Sequence, residues 1–190
     1  MLKKIKLNLT VMESMLYYWE ATKDREKVGE AFIKAVAGAK EMKLTYDDDF
    51  DEESARRGLS AISNTEPFVP KNRNEGRFWN DNMWMLEDMD YMRAIMQPLK
   101  VLNLDSVIEE VNSKGDFGVE EVEVVFLPLH LKPYYTSSDT LLINFFCVKP
   151  EGVESAAPTD SNLDIDVEAR EMIEMNDLKS FIASKLMELK

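Results

Sequence analysis

Few side chains in the 190 residues are suited to chemistry, and they are far apart. His130 and Cys147 are the only histidine and cysteine, and such a pair can act as base and nucleophile. VEVVFLPLHL (122–131) and TLLINFFCV (140–148) read as the two arms of a hairpin centred near residue 136. That register sets His130 opposite about Leu142 and Cys147 opposite about Val125. Five residues of strand, about 16 Å, then separate them. The expectation is a buried thiol and an edge-strand histidine, not a dyad.

The acids Asp47, Asp48, Asp49, Asp51, Glu52 and Glu53 invite a calcium reading. Aligned from Asp47, the glycine needed at loop position 6 is Glu52, and the glutamate needed at position 12 is Gly58. The bend and the bidentate ligand are both missing, so an acidic first helical turn is the simpler reading. Asp116-Phe117-Gly118 spells a kinase triplet without the glycine-rich loop or catalytic loop that give it meaning. No phosphate-binding loop, zinc-type cluster or GxSxG elbow occurs. No catalytic residue, metal or cofactor is therefore expected. Asp81 and Asp88, seven apart on one helix face, could form a carboxylate pair, but acids so placed more often keep one strip of a buried helix wet.

The richest segment is RFWNDNMWMLEDMDYMRAIM (77–96), with two of three tryptophans and five of twelve methionines. On a helical period Phe78, Met85, Met89, Met92 and Met96 share one face. Trp79, Met83 and Leu86 start a second, and Trp84, Tyr91 and Ile95 a third. So wide an apolar girth marks either a central core helix or one that meets a partner. Tryptophan, tyrosine and methionine are over-used at interface centres. The functional expectation is thus a non-enzymatic protein-binding module of inhibitor, chaperone or adaptor type, with Trp79, Trp84, Tyr91 and Asp88 at the contact. The alternative is a small-molecule-binding or carboxylate-based enzymatic domain whose pocket this helix lines.

The formal net charge of −13 repels phosphate backbones and anionic membranes. Nucleic acid and membrane are excluded as expected partners; another protein is favoured, and a basic partner and homo-oligomers are both allowed. The charge is uneven. Residues 1–44 carry nine Lys/Arg against six Asp/Glu, residues 45–70 two against seven, and residues 151–190 four against ten. One cysteine leaves no intrachain disulfide, and MLKKIKLNLT lacks an apolar leader core, so a cytoplasmic protein is expected. No apolar run is long enough to span a membrane.

The fold class that must position these residues is α+β. A mostly helical region is expected over 1–98 and an α+β region over 99–190, and the two are compatible with one compact domain. Ile5, Leu7 and Leu9 alternate as a short strand. Thr10 and Glu13 form a capping box for a helix over about 11–22. Asp24 caps a second helix running four turns from Val28 to Met42, and a third spans about 52–63. Asn74 caps the Trp/Met helix and Pro98 stops it. Asp105 caps a short helix that Gly115 ends. The antiparallel hairpin (about 122–148) follows, packed by helices, with Pro128 marking an edge strand or a bulge. Residues 149–162 read as a linker, LDIDV (163–167) as a further strand, and Asp177 as the cap of a C-terminal amphipathic helix.

Overall fold

The computed structural model describes residues 1–153 and 170–189, and within them the chain is α+β with a helical first half. Lysines 4 and 6 face solvent while Ile5 and Leu7 turn inward, giving the half-wet strand β1 (Lys4–Asn8). It lies parallel to β2 (Glu121–Leu127), with Ile5 opposite Val122 and Leu7 opposite Val124. Between them in sequence come helices α1 (Thr10–Lys23), α2 (Glu30–Ala37), α3 (Lys40–Lys43), α4 (Glu52–Ser63), α5 (Arg73–Glu87), α6 (Met89–Lys100) and α7 (Asp105–Ser113). After β2 follow β3 (Tyr134–Ser137), β4 (Thr140–Asn144), β5 (Val148–Lys149), β6 (Ile173–Glu174) and α8 (Leu178–Leu186).

The four-stranded sheet has the order β1-β2-β4-β3. This corrects the expected hairpin. The two long apolar runs do not pair antiparallel: β2 and β4 are parallel, with Val124 opposite Leu141 and Phe126 opposite Ile143. The antiparallel hairpin is β3 on β4, turning through Ser138, whose φ of 53° is left-handed. Residues 128–133 carry the chain across the end of the sheet to its far edge, so β3 runs down and β4 climbs back beside β2. A central β2 explains why both of its faces are apolar, since a covered strand has no wet side. Pro128 lies one residue beyond β2, where its missing N–H costs the ladder nothing, so it marks neither an edge strand nor a bulge.

Several helix ends also differ from expectation. The Asn8 side chain accepts the Thr10 N–H at 3.0 Å, and no Thr10–Glu13 capping box forms. Asp24 ends α1 rather than starting α2. The expected four-turn helix breaks into α2 and α3 at Gly38, where a Cβ would lie 2.8 Å from Glu52 Oε1. Asn72, not Asn74, caps α5 by accepting the Glu75 N–H at 3.0 Å. The Trp/Met segment is two helices: Asp88 leaves helical geometry at φ −124°, ψ 77°, and its carboxylate accepts the Tyr91 N–H to start α6. Pro98 sits inside α6. Asp105 is the first residue of α7, preceded by an Asn103 side chain that accepts its N–H. Asp177 precedes α8 without a side-chain cap. The 163–167 strand and most of the 149–162 linker lie outside the described residues.

One apolar cluster runs from Leu2 to Leu186 through helices and sheet. Trp19 and Tyr18 of α1 are fully buried with their polar atoms satisfied, Trp19 Nε1 donating to Asn82 Oδ1 (3.1 Å) and Tyr18 Oη to the Leu59 carbonyl (2.7 Å). No described helix is long and apolar enough to cross a membrane.

Candidate functional site

The aromatic residues singled out by type fall into two separate ring contacts. Trp84 leans on Tyr91 (centroids 4.6 Å apart) with Asp88 between them in sequence, whereas Trp79 stacks separately on Phe68 at 6.1 Å. Tyr91 is buried, and both tryptophans are half-buried against the core. The Asp88 carboxylate is occupied as the α6 cap.

His130 and Cys147 also part company. His130 is fully buried on the loop after β2, not on an edge strand. It stacks on Phe50 at 4.2 Å, and its Nε2 lies 3.2 Å from Asp47 Oδ2. Burial pushes its pKa below the ordinary histidine value, against the pull of Asp47, so a neutral ring donates from Nε2 and leaves Nδ1 without a partner. Burial pushes the Cys147 thiol up to about 12, which keeps it protonated and unreactive. The acids 47–53 are put to local use. Asp47 closes a turn onto the Asp49 and Phe50 N–H groups, Asp51 caps α4, Glu52 meets Lys43 and Glu53 meets Arg56. Among the described residues no group of three His, Cys, Asp or Glu is placed to hold a metal.

The structure instead brings together cations. Arg73, Arg77 and Asp81 stand four residues apart along one side of α5. Facing them are Leu131, Lys132 and Pro133 of the loop leaving β2, and Arg170 and Glu171 of the segment entering β6; with Arg73 and Arg77 these line a cleft of about 250 Å³. The loop is held rigidly by Asn144, a fully buried residue ending β4. Its Nδ2 donates to the Lys132 carbonyl (3.1 Å), its Oδ1 accepts the Leu129 N–H (3.3 Å), and its own N–H donates to the Pro133 carbonyl (2.9 Å). The stacked His130 pegs the same loop from behind. The cleft thus lies beyond the carboxyl ends of the parallel strands β2 and β4, the place where open α/β sheets commonly bind ligands.

The charges of the cleft are not equally compensated. Arg170 closes on Asp81 through two bonds of 2.9 and 2.7 Å, and that carboxylate outweighs burial to hold the guanidinium charged. Arg77, half-buried, has no ion pair among the described residues. Burial, with repulsion from Arg170 and Arg73, lowers its pKa against the pull of Asp81. Lys132 likewise lacks an ion pair and lies 5.5 Å over the Tyr135 ring. A partly desolvated cation without a counter-charge is costly, and an anion at that position offsets the cost. A larger cleft of about 400 Å³ between α2 and α4 has its half-buried Arg56 spent on Glu30 and Glu53, and its other cation, Lys34, is exposed.

Sequence reasoning passed over all four cations. The local signal was Arg73-x3-Arg77-x3-Asp81, a one-sided helical ladder; Lys132 and Arg170 join it only through the fold. Compared with protein-family models, curated proteins and solved structures, the chain finds no match. The class is therefore defined by fold and site alone: an α+β protein with a small cationic cleft at the strand ends.

Proposed function

We propose that the protein is a non-enzymatic binding module whose recognition site is this cleft, which receives an anionic group presented by a partner protein. The observation that carries the reading is the half-buried guanidinium of Arg77, which has no ion pair among the described residues. Size supports a group rather than a whole metabolite, since pockets that engulf drug-sized ligands run about 300–1,000 Å³ and this one is about 250 Å³. The net charge of −13 surrounding a local positive site repels polyanions that would otherwise compete for it. The same net charge favours a basic partner surface around the anionic group. Carboxylate acid–base catalysis has less support: Glu30, Asp51, Glu53, Glu75, Glu123 and Glu188 all lie below their ordinary values. A small anionic molecule is the second reading, favoured by the position of the cleft at the strand ends.

Affinity capture with mass spectrometry on wild type, Arg77→Glu and Trp84→Ala tests the proposal, with folding checked by circular dichroism. A partner lost with Arg77→Glu and retained with Trp84→Ala is the expected result. A partner lost only with Trp84→Ala would move the contact to the aromatic surface, and no specific partner at all would overturn the binding-module reading.

A further inference from the structure

We infer, resting on the reading of the cleft as a recognition site, that the group it receives is a phosphate monoester rather than a carboxylate. Two cations there, Arg77 from α5 and Lys132 from the loop after β2, have no ion pair among the described residues. The other charged lining residues, Arg73 and Glu171, are opposite in sign, and Arg170 is matched by Asp81. A carboxylate neutralises one of the two open charges; a phosphate monoester, carrying about −1.5 to −2 near neutral pH, neutralises both.

Donor geometry points the same way. The guanidinium of Arg77 offers a fork of N–H groups and Lys132 three more donors. Arg170 gives one bond from each terminal nitrogen to Asp81 and keeps its remaining N–H groups. These donors arrive from three separate chain segments. A planar carboxylate with two oxygens suits a single arginine fork, whereas three phosphoryl oxygens can each meet a different segment. Leu131 and Pro133 supply apolar wall for the carbon side of the ester.

The test uses the full chain at low ionic strength and about pH 7.5, where monomethyl phosphate is mainly a dianion. Monomethyl phosphate, dimethyl phosphate and acetate are titrated while backbone and arginine side-chain N–H resonances are followed. Monomethyl phosphate should bind at least about tenfold more tightly than the two monoanions and shift Arg77. Arg77→Gln should weaken it about tenfold, the loss expected for one charge-assisted bond. The exposed Lys132→Gln provides a second variant outside the core. Equal binding of acetate or dimethyl phosphate, or phosphate binding unchanged in both variants, would overturn the inference. A second arm compares inorganic phosphate with short degenerate phosphoserine peptides. Peptides binding at least about tenfold more tightly identify a phosphorylated side chain of a partner. Inorganic phosphate binding as tightly as the peptides keeps the phosphoryl site and overturns the partner-protein reading instead.

Discussion

Replacing Arg170 by methionine removes the guanidinium that meets Asp81 at 2.9 and 2.7 Å and leaves a carboxylate only 3% exposed without it. Breaking a buried pair from one side costs about 3–5 kcal/mol, because the surviving charge keeps its desolvation penalty. Two features place this pair at the lower end. The Arg170 side chain retains 11% exposure, and Arg77, one turn before Asp81 on α5, already feels that carboxylate and can turn towards it. Arg170→Met should therefore cost about 3 kcal/mol, and Asp81→Leu about the same. The double variant removes both charges and leaves apolar groups of similar bulk, so it should cost under about 1.5 kcal/mol. Urea unfolding of the four proteins closes the cycle, with an expected coupling of about 4.5 kcal/mol or more. In a chain of this size the single variants should melt about 6–12 °C early. Single losses below about 1 kcal/mol, or additivity within about 0.5 kcal/mol, would refute the claim that this pair locks the 170–174 segment to α5.

Glu75 is 1% exposed and accepts from Arg57 Nη1 at 2.9 and 2.8 Å and from the Lys71 N–H at 2.7 Å. Burial raises its pKa, but the Lys71 amide and Arg57 outweigh it and hold the carboxyl below the ordinary range. Its contribution is present above the unfolded value of about 4.3 and fades as pH falls through the folded one. Glu75→Gln should thus cost about 2 kcal/mol at neutral pH, with the gap from wild type narrowing below about pH 4 in urea melts; a constant gap would contradict this. His130 has its folded pKa depressed by burial, so stability is full above the unfolded value of about 6.5 and falls as pH drops below it, at up to about 1.4 kcal/mol per pH unit. His130→Phe keeps the stack on Phe50 and should flatten that slope; an unchanged slope would place the titration elsewhere. Cys147, fully buried with its thiol pushed up to about 12, should react with a disulfide reagent far more slowly than a free thiol until the chain unfolds. Rapid labelling of the native protein would show that its burial is not maintained in solution.

How much of this was legible depends on the range of the interaction that decides each element. The helical first half and the α+β class follow from local periodicity, and α4 (Glu52–Ser63) matches its expected span because an acidic first turn and an apolar stripe agree. The break at Asp88 was hidden because α6 resumes the apolar pattern of α5 with little change of phase; only the cap on Tyr91 betrays it. The parallel pairing of β1 with β2 joins Lys4 to Glu121, and no short-range pattern reports a partner so distant. The hairpin error has a physical origin too. YYTS is a strand of four residues between a proline and a turn, and two long apolar runs beside it look like a complete pair.

The site is harder still, because a cation becomes a binding group only when the fold leaves it uncompensated. Arg56, Arg57 and Arg77 are all helical arginines with acids nearby in sequence. Folding spends Arg56 on Glu30 and Glu53, and Arg57 on Glu75. Asp81, the acid four residues after Arg77 and its natural helical partner, is taken by Arg170, which lies 89 residues away. The charge left over at Arg77 is thus created by a long-range pairing that does not itself involve Arg77. The Asp81/Arg170 cycle and the phosphate titration therefore probe one mechanism from two sides. If removing both Asp81 and Arg170 leaves phosphate binding intact, Arg77 and Lys132 suffice as the receptor. If binding is lost while the fold holds, Arg170 is itself a ligand-facing donor and the pair with Asp81 is what orients it.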